Sequence, residues 1–167
     1  GALTAADGVT VTISDSQVSG NSTTGAGADG GGLNVEGDLI ISDSIISGNS
    51  TLGSFSDGGG IFAGAITITG SSVVGNSTDG SYANGGGIAS AGAVDATGNF
   101  IGLNQTVGFR SPGGGLFAGG VSTLTNSTIY GNLTFSPFSP FSDGAGAYLG
   151  DAGTLINNAI TGNAALQ

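Results

Sequence analysis

The chain has 167 residues, 36 of them Gly, and eleven acidic residues against one basic residue, Arg110, for a net charge of −10; His, Cys, Met and Trp are absent. Lacking His, Cys and Lys, it can build no Ser-His-Asp triad, thiolate nucleophile, ordinary zinc or haem site, or Schiff-base lysine, and it has no basic surface to neutralise nucleic-acid phosphates. With 38 % of residues hydrophobic it is too apolar for a solvated low-complexity segment, yet no apolar run approaches the ~20 residues of a membrane helix; one domain spanning 1–167 is expected.

Taken in chain order, the elements repeat. The chain opens on Gly1-Ala2-Leu3, passes Ile13 and Val18, and closes a phrase at Asn21. The phrase returns as Gly-Gly-Leu33, Ile41, Ile46 and Asn49, then as Gly-Gly-Ile61, Ile68, Val73 and Asn76. Gly-Gly-Ile88, Ala96, Ile101 and Asn104 form the fourth, and Gly-Gly-Leu116, Leu124, Ile129 and Asn132 the fifth. The sixth runs from Ala145-Gly146-Ala147 through Leu155 and Ile160 to Asn163. Successive Asn residues stand 28, 27, 28, 28 and 31 apart.

Each phrase predicts three short strands, as in Gly60-Ile61-Phe62-Ala63, then Ile66-Thr67-Ile68-Thr69, and, one repeat earlier, Ser44-Ile45-Ile46-Ser47-Gly48-Asn49. Alternating β-branched residues between Gly, Asn and Asp punctuation signal strands, and no window has helical spacing. Strands this short, recurring every ~28 residues, wind into a coil whose turns lie ~4.8 Å apart, so equivalent residues stack. The expected fold is all-β: a right-handed parallel β-helix of about six coils of 27–31 residues, three short strands per coil, without caps. The one-residue shortfall between Ile61 and Ile88 is expected near Gly64, opposite Gly37. The insertion Phe135-Ser136-Pro137-Phe138-Ser139-Pro140-Phe141 falls in a loop, where a solenoid bulges without disturbing its core.

The pattern resembles right-handed parallel β-helices of the pectate-lyase-like class, and more closely the repeats of polymorphic outer-membrane proteins and related autotransporter passengers. Their signature pairs Gly-Gly-Ala-Ile with Phe-x-x-Asn. Here the first part stands as Gly31-Gly32-Leu33 and Gly59-Gly60-Ile61, and the second as Ile46-x-x-Asn49 and Ile129-x-x-Asn132, with Ile or Val in place of Phe. The resemblance covers all six repeats. Its motifs are structural, so what it implies is the fold.

Several residue sets invite a function. Asn21, Asn49, Asn76, Asn104, Asn132 and Asn163 suit an inward hydrogen-bonding ladder; the first five also begin Asn-x-Ser/Thr sequons, so a glycan on each coil is the other reading. Asp29, Asp57 and Asn84 occupy equivalent places before the Gly-rich strand, either as solvated turn formers or as a calcium site; no other cofactor is expected. Thr67-x-Thr69 and Thr123-x-Thr125, with Thr12-x-Ser14 in line, would make a hydroxyl face of the kind that binds ice, interrupted by Ile40, Asp95 and Ile156. Phe62, Phe117 and Tyr148 fall at outward positions of the first strand, and Phe55, Tyr82 and Phe141 lie two residues before a turn Asp or Asn; such a column suits a contact surface, with Phe62, Phe117 and Tyr148 as subunit contacts beside Leu3 and Leu166, or loops that fold back and bury the rings locally. The aspartates are spread about one per coil, which does not make the acid/base pair of a glycosidase.

Neither end carries a helix or a charged guard, so the apolar end coils, with Leu3 and Leu166, are expected to seek a cover, which either more of a longer β-helix or a second copy supplies. The expected function is a non-enzymatic extracellular or cell-surface structural protein, a filament subunit stacking head to tail on itself. The alternatives are an adhesin or autotransporter stalk segment that meets glycans or cell surfaces, then an ice-binding module, then a polysaccharide-active enzyme. Neither nucleic acid nor a membrane span is expected.

Overall fold

The computed structural model describes residues 1–137 and 143–167. Three parallel sheets run along the molecule, one of ten strands and two of six, and there is no helix among the described residues. Every strand pairing is parallel and joins residues one coil apart. The three apolar columns are those the repeat predicts. Leu3, Leu33, Ile61, Ile88, Leu116 and Ala147 follow one another in register. Ile13, Ile41, Ile68, Ala96, Leu124 and Leu155 form the second. Val18, Ile46, Val73, Ile101, Ile129 and Ile160 form the third.

These columns meet along the axis as one core, in which Ile46, Ile61, Ile68, Val73, Ile101, Leu124 and Ile129 are fully buried. Burying each such side chain stabilises the fold by about 1.5–3 kcal/mol. In the sixth coil the same positions lie open: Leu155 and Ile160 are each 47 % exposed.

The three faces of each coil are apportioned differently from the sequence reading. The first and second predicted strands share one sheet, and in two coils they fuse into single strands, Leu33–Ser42 and Ile61–Thr69. The third face is built by the residues after each Asn, such as Ser50–Thr51, Ser77–Asp79 and Gln105–Val107. The missing residue lies where it was expected. Register shifts by one between Val35 and Asp38, so that Glu36 and Gly37 lie opposite Gly64 alone, a β-bulge. Phe138, Ser139, Pro140 and Phe141 of the insertion lie outside the described residues.

Candidate functional site

Two corners of the coil carry columns of polar side chains, and each corner divides the work between two residues. At the first corner Asp15, Asp43, Gly70, Gly98, Asn126 and Asn157 take a left-handed φ, and at the second Gly20, Gly48, Gly75, Leu103, Gly131 and Gly162 do. The residue that follows turns its side chain inward. At the second corner that residue is the repeated Asn. Asn76 Nδ2 donates to Asn104 Oδ1 at 3.0 Å and to the Ile46 carbonyl of the coil before at 2.9 Å. Asn76 N–H donates to the same Asn104 Oδ1 at 2.9 Å. The pattern runs from Asn21 to Asn163. In Asn49, Asn76, Asn104 and Asn132 both amide hydrogens are engaged and the side chain is buried, so no glycan can be accommodated there in the folded chain.

The Thr two places on has its own task. Thr51 Oγ1 donates to the Ser56 carbonyl at 2.9 Å, and Thr23, Thr78 and Thr106 make the same bond five residues ahead. This closes the loop that follows and accounts for the Asn-x-Thr phrase without a sugar. The Gly-Gly phrase belongs to the same unit. A Cβ on Gly60 would stand 2.9 Å from Asn76 Cγ and 2.6 Å from the Gly87 carbonyl, so a ladder Asn needs a Gly facing it across the coil.

A second ladder went unread in the sequence. Ser16, Ser44, Ser71, Asn99, Ser127 and Asn158 each follow a left-handed residue at the first corner, and the backbone N–H of each of the first five donates to the side-chain oxygen one coil on. The signal was a Ser or Asn five places before every ladder Asn.

Asp29, Asp57 and Asn84 do stack, and the structure gives the first two a bond. Asp57 N–H donates to Asp29 Oδ1, and Asn84 N–H to Asp57 Oδ1, both at 2.7 Å. The next place in the column is Pro112, which has no N–H to offer, and there the ladder stops. Burial pushes the Asp29 carboxyl up to about 6 against the lowering effect of that bond, with the Asp57 and Glu36 charges adding to the rise. Burial likewise raises Asp57, opposed by its bonds from Asn84. No group of three or more His, Cys, Asp or Glu side chains that could hold a metal ion occurs among the described residues.

The aromatic residues form two outward sets. Half-buried Phe62, Phe117 and Tyr148 share one column with Asn34 and the buried Ala89, and Phe117 stacks on Tyr148 at 5.3 Å while Ala89 separates it from Phe62. At a loop corner Phe55 and Tyr82 stack at 5.2 Å with planes 3° apart, Tyr82 meets Phe109 edge-on at 5.5 Å, and the Arg110 guanidinium lies 5.5 Å from the Phe109 ring centre. Leu3 and Leu166, on the two end coils, are 36 % and 51 % exposed.

The hydroxyl face is assembled as the spacing predicts. Thr12, Ile40, Thr67, Asp95, Thr123 and Thr154 form one outward column, and Ser14, Ser42, Thr69, Thr97, Thr125 and Ile156 the next. An open groove of about 420 Å³ lies at its edge beside the bulge, lined by Thr10, Asp38, Ile40, Ala65 and Thr67. Asp38 is the one ionisable group in its lining, which gives no general acid/base pair. No helix among the described residues is long and apolar enough to cross a membrane. No protein-family model, curated protein or solved structure matches the chain, so its assignment rests on the architecture: a parallel β-solenoid of about six coils.

Proposed function

We propose that the protein is a non-enzymatic structural element of an extracellular or cell-surface assembly, stacking head to tail on a second copy of itself. The observation that carries this reading is the repetition of the same columns and ladders from coil to coil, so that the face of one coil matches the face of the next. Asn21 and Asn163 are the outermost rungs of a ladder in which each rung donates to the next. A coil of the same pattern laid against another extends every column in register, as each coil does here with its neighbour. The same chain carries that pattern at its other end, with Leu3, Ile13 and Val18 in the matching columns. Head-to-tail contacts of this kind do not close, and they generate filaments.

The polar interior supports a structural rather than a catalytic role. Ladder bonds or turn closures engage the buried Asn side chains and most of the buried Ser and Thr side chains, which leaves no inward acid/base pair. Negative-stain electron microscopy of the purified chain tests the reading. Unbranched fibres that lengthen with protein concentration are expected. Dispersed monomers at high concentration would overturn self-stacking and favour a stalk segment whose outward loops meet other surfaces.

A further inference from the structure

The loop corner bearing Phe55 is built against the usual economy of a solenoid. Gly27, Phe55, Tyr82 and Arg110 are equivalent residues, since the N–H of each of the first three donates to the carbonyl just before the next. All four take a left-handed φ, between 54° and 67°. Gly27 does this freely, whereas a bulky side chain is strained there. Three consecutive coils nevertheless carry bulky residues at this place, and the two rings are 63 % and 41 % exposed. Because Gly27 turns the chain equally well, the fold does not require the rings.

The stack has two unlike ends. Toward the fourth coil, among the described residues, the Arg110 guanidinium lies over the Phe109 ring. Toward the first coil the far face of Phe55 looks over Gly27, where an added Cβ would meet nothing within 4 Å. A rung is therefore missing from the column at Gly27, the one Gly among its four described positions. The acid column runs alongside: Asp29 lies two residues beyond Gly27 and Asp57 two beyond Phe55, and each commits one carboxylate oxygen to the next coil's backbone.

We propose that the Gly27 rung is a binding site for an organic cation, a guanidinium or quaternary ammonium group, seated on the open face of Phe55. Charge decides the occupant. An electron-rich ring face in a column two residues along the chain from Asp29 and Asp57, in a chain of net charge −10, attracts a cation and offers nothing to an anion. The molecule already places its one basic side chain on this same stack, at the opposite end. A single exposed face holds such a group weakly, in the millimolar range. A polymer or peptide carrying several such groups would gain by multivalency. The site goes beyond the structural role, and the column that forms it is separate from the core columns that stacking would extend.

The test is an NMR titration of the full chain with methylguanidinium chloride and with tetramethylammonium chloride, using sodium chloride and methyl glucoside as controls. Saturable shifts at Gly27, Asp29 and Phe55 with both organic cations are expected, at least fivefold weaker in Phe55→Gly. That variant should melt at the same or a higher temperature than the parent, because Gly suits the backbone there. The proposal is overturned by shifts no larger than those from sodium chloride, by equal binding of the neutral sugar, or by undiminished binding in Phe55→Gly. A melting temperature several degrees lower in Phe55→Gly also overturns it, because the ring would then be a prop for the corner.

Discussion

An Asn whose four side-chain bonds reach into both neighbouring coils is a different object from an Asn in a surface turn. Replacing Asn76 by Ala strands the Ile46 carbonyl, the Asn49 N–H and the Asn49 amide in a dry interior. Each orphaned group costs about 1–3 kcal/mol, so Asn76→Ala should lose about 3 kcal/mol or more in urea unfolding. Asn21→Ala, at the half-exposed end of the ladder, should lose about 1 kcal/mol or less. Asp29 gives the residue scale a pH dependence. Its folded-state pKa of about 6 lies above the ordinary value of 3.8, so the native state binds the proton more tightly than the unfolded chain does. The stabilisation that protonation provides is complete below about 3.8 and is lost as pH rises through about 6. Thermal melts should therefore climb on acidification from pH 7 to pH 4, with a shallower climb in Asp29→Asn. The Asn ladder could be read from the sequence because one residue type recurs without exception at a fixed step. The Ser ladder could not, because Asn99 and Asn158 break its identity and Ser is common throughout the chain.

At the scale of the element, the corners expose what period alone conceals. A left-handed turn asks for Gly, and five of the six places before the ladder Asn have it; the sixth has Leu103, at φ 56°. Leu103→Gly should stabilise the protein by about 1 kcal/mol, and Gly75→Ala should cost about 1 kcal/mol although an added methyl meets nothing within 4 Å. Opposite signs at equivalent corners in equilibrium unfolding would check the backbone account. The strands after each Asn escaped the sequence reading for a related reason. Ser50–Thr51 and Ser77–Asp79 are too short and too polar to signal a strand by themselves, and only pairing on both sides makes them one. The bulge at Glu36–Gly37 was legible because a single missing residue shifts a register that every other position maintains.

For the whole molecule, stability is a sum over neighbouring coils, since each touches only the next. A cavity in the middle should cost far more than one at an end. Ile101→Ala should lose about 2–5 kcal/mol, whereas Ile160→Ala, at a side chain 47 % exposed, should lose about 1 kcal/mol or less in dilute solution. If copies stack end to end, the second loss should grow with protein concentration, because the partner buries that side chain.

All of this rests on residues about 28 apart lying directly over one another, and the absence of native Cys allows a clean trial. Ser47 and Val74 are in-register partners on adjacent coils. The double variant Ser47→Cys, Val74→Cys should oxidise to an intramolecular disulfide in the monomer and melt several degrees higher when oxidised than when reduced. A pair that stays reduced in the folded chain, or links only between molecules, would contradict the stacked coil.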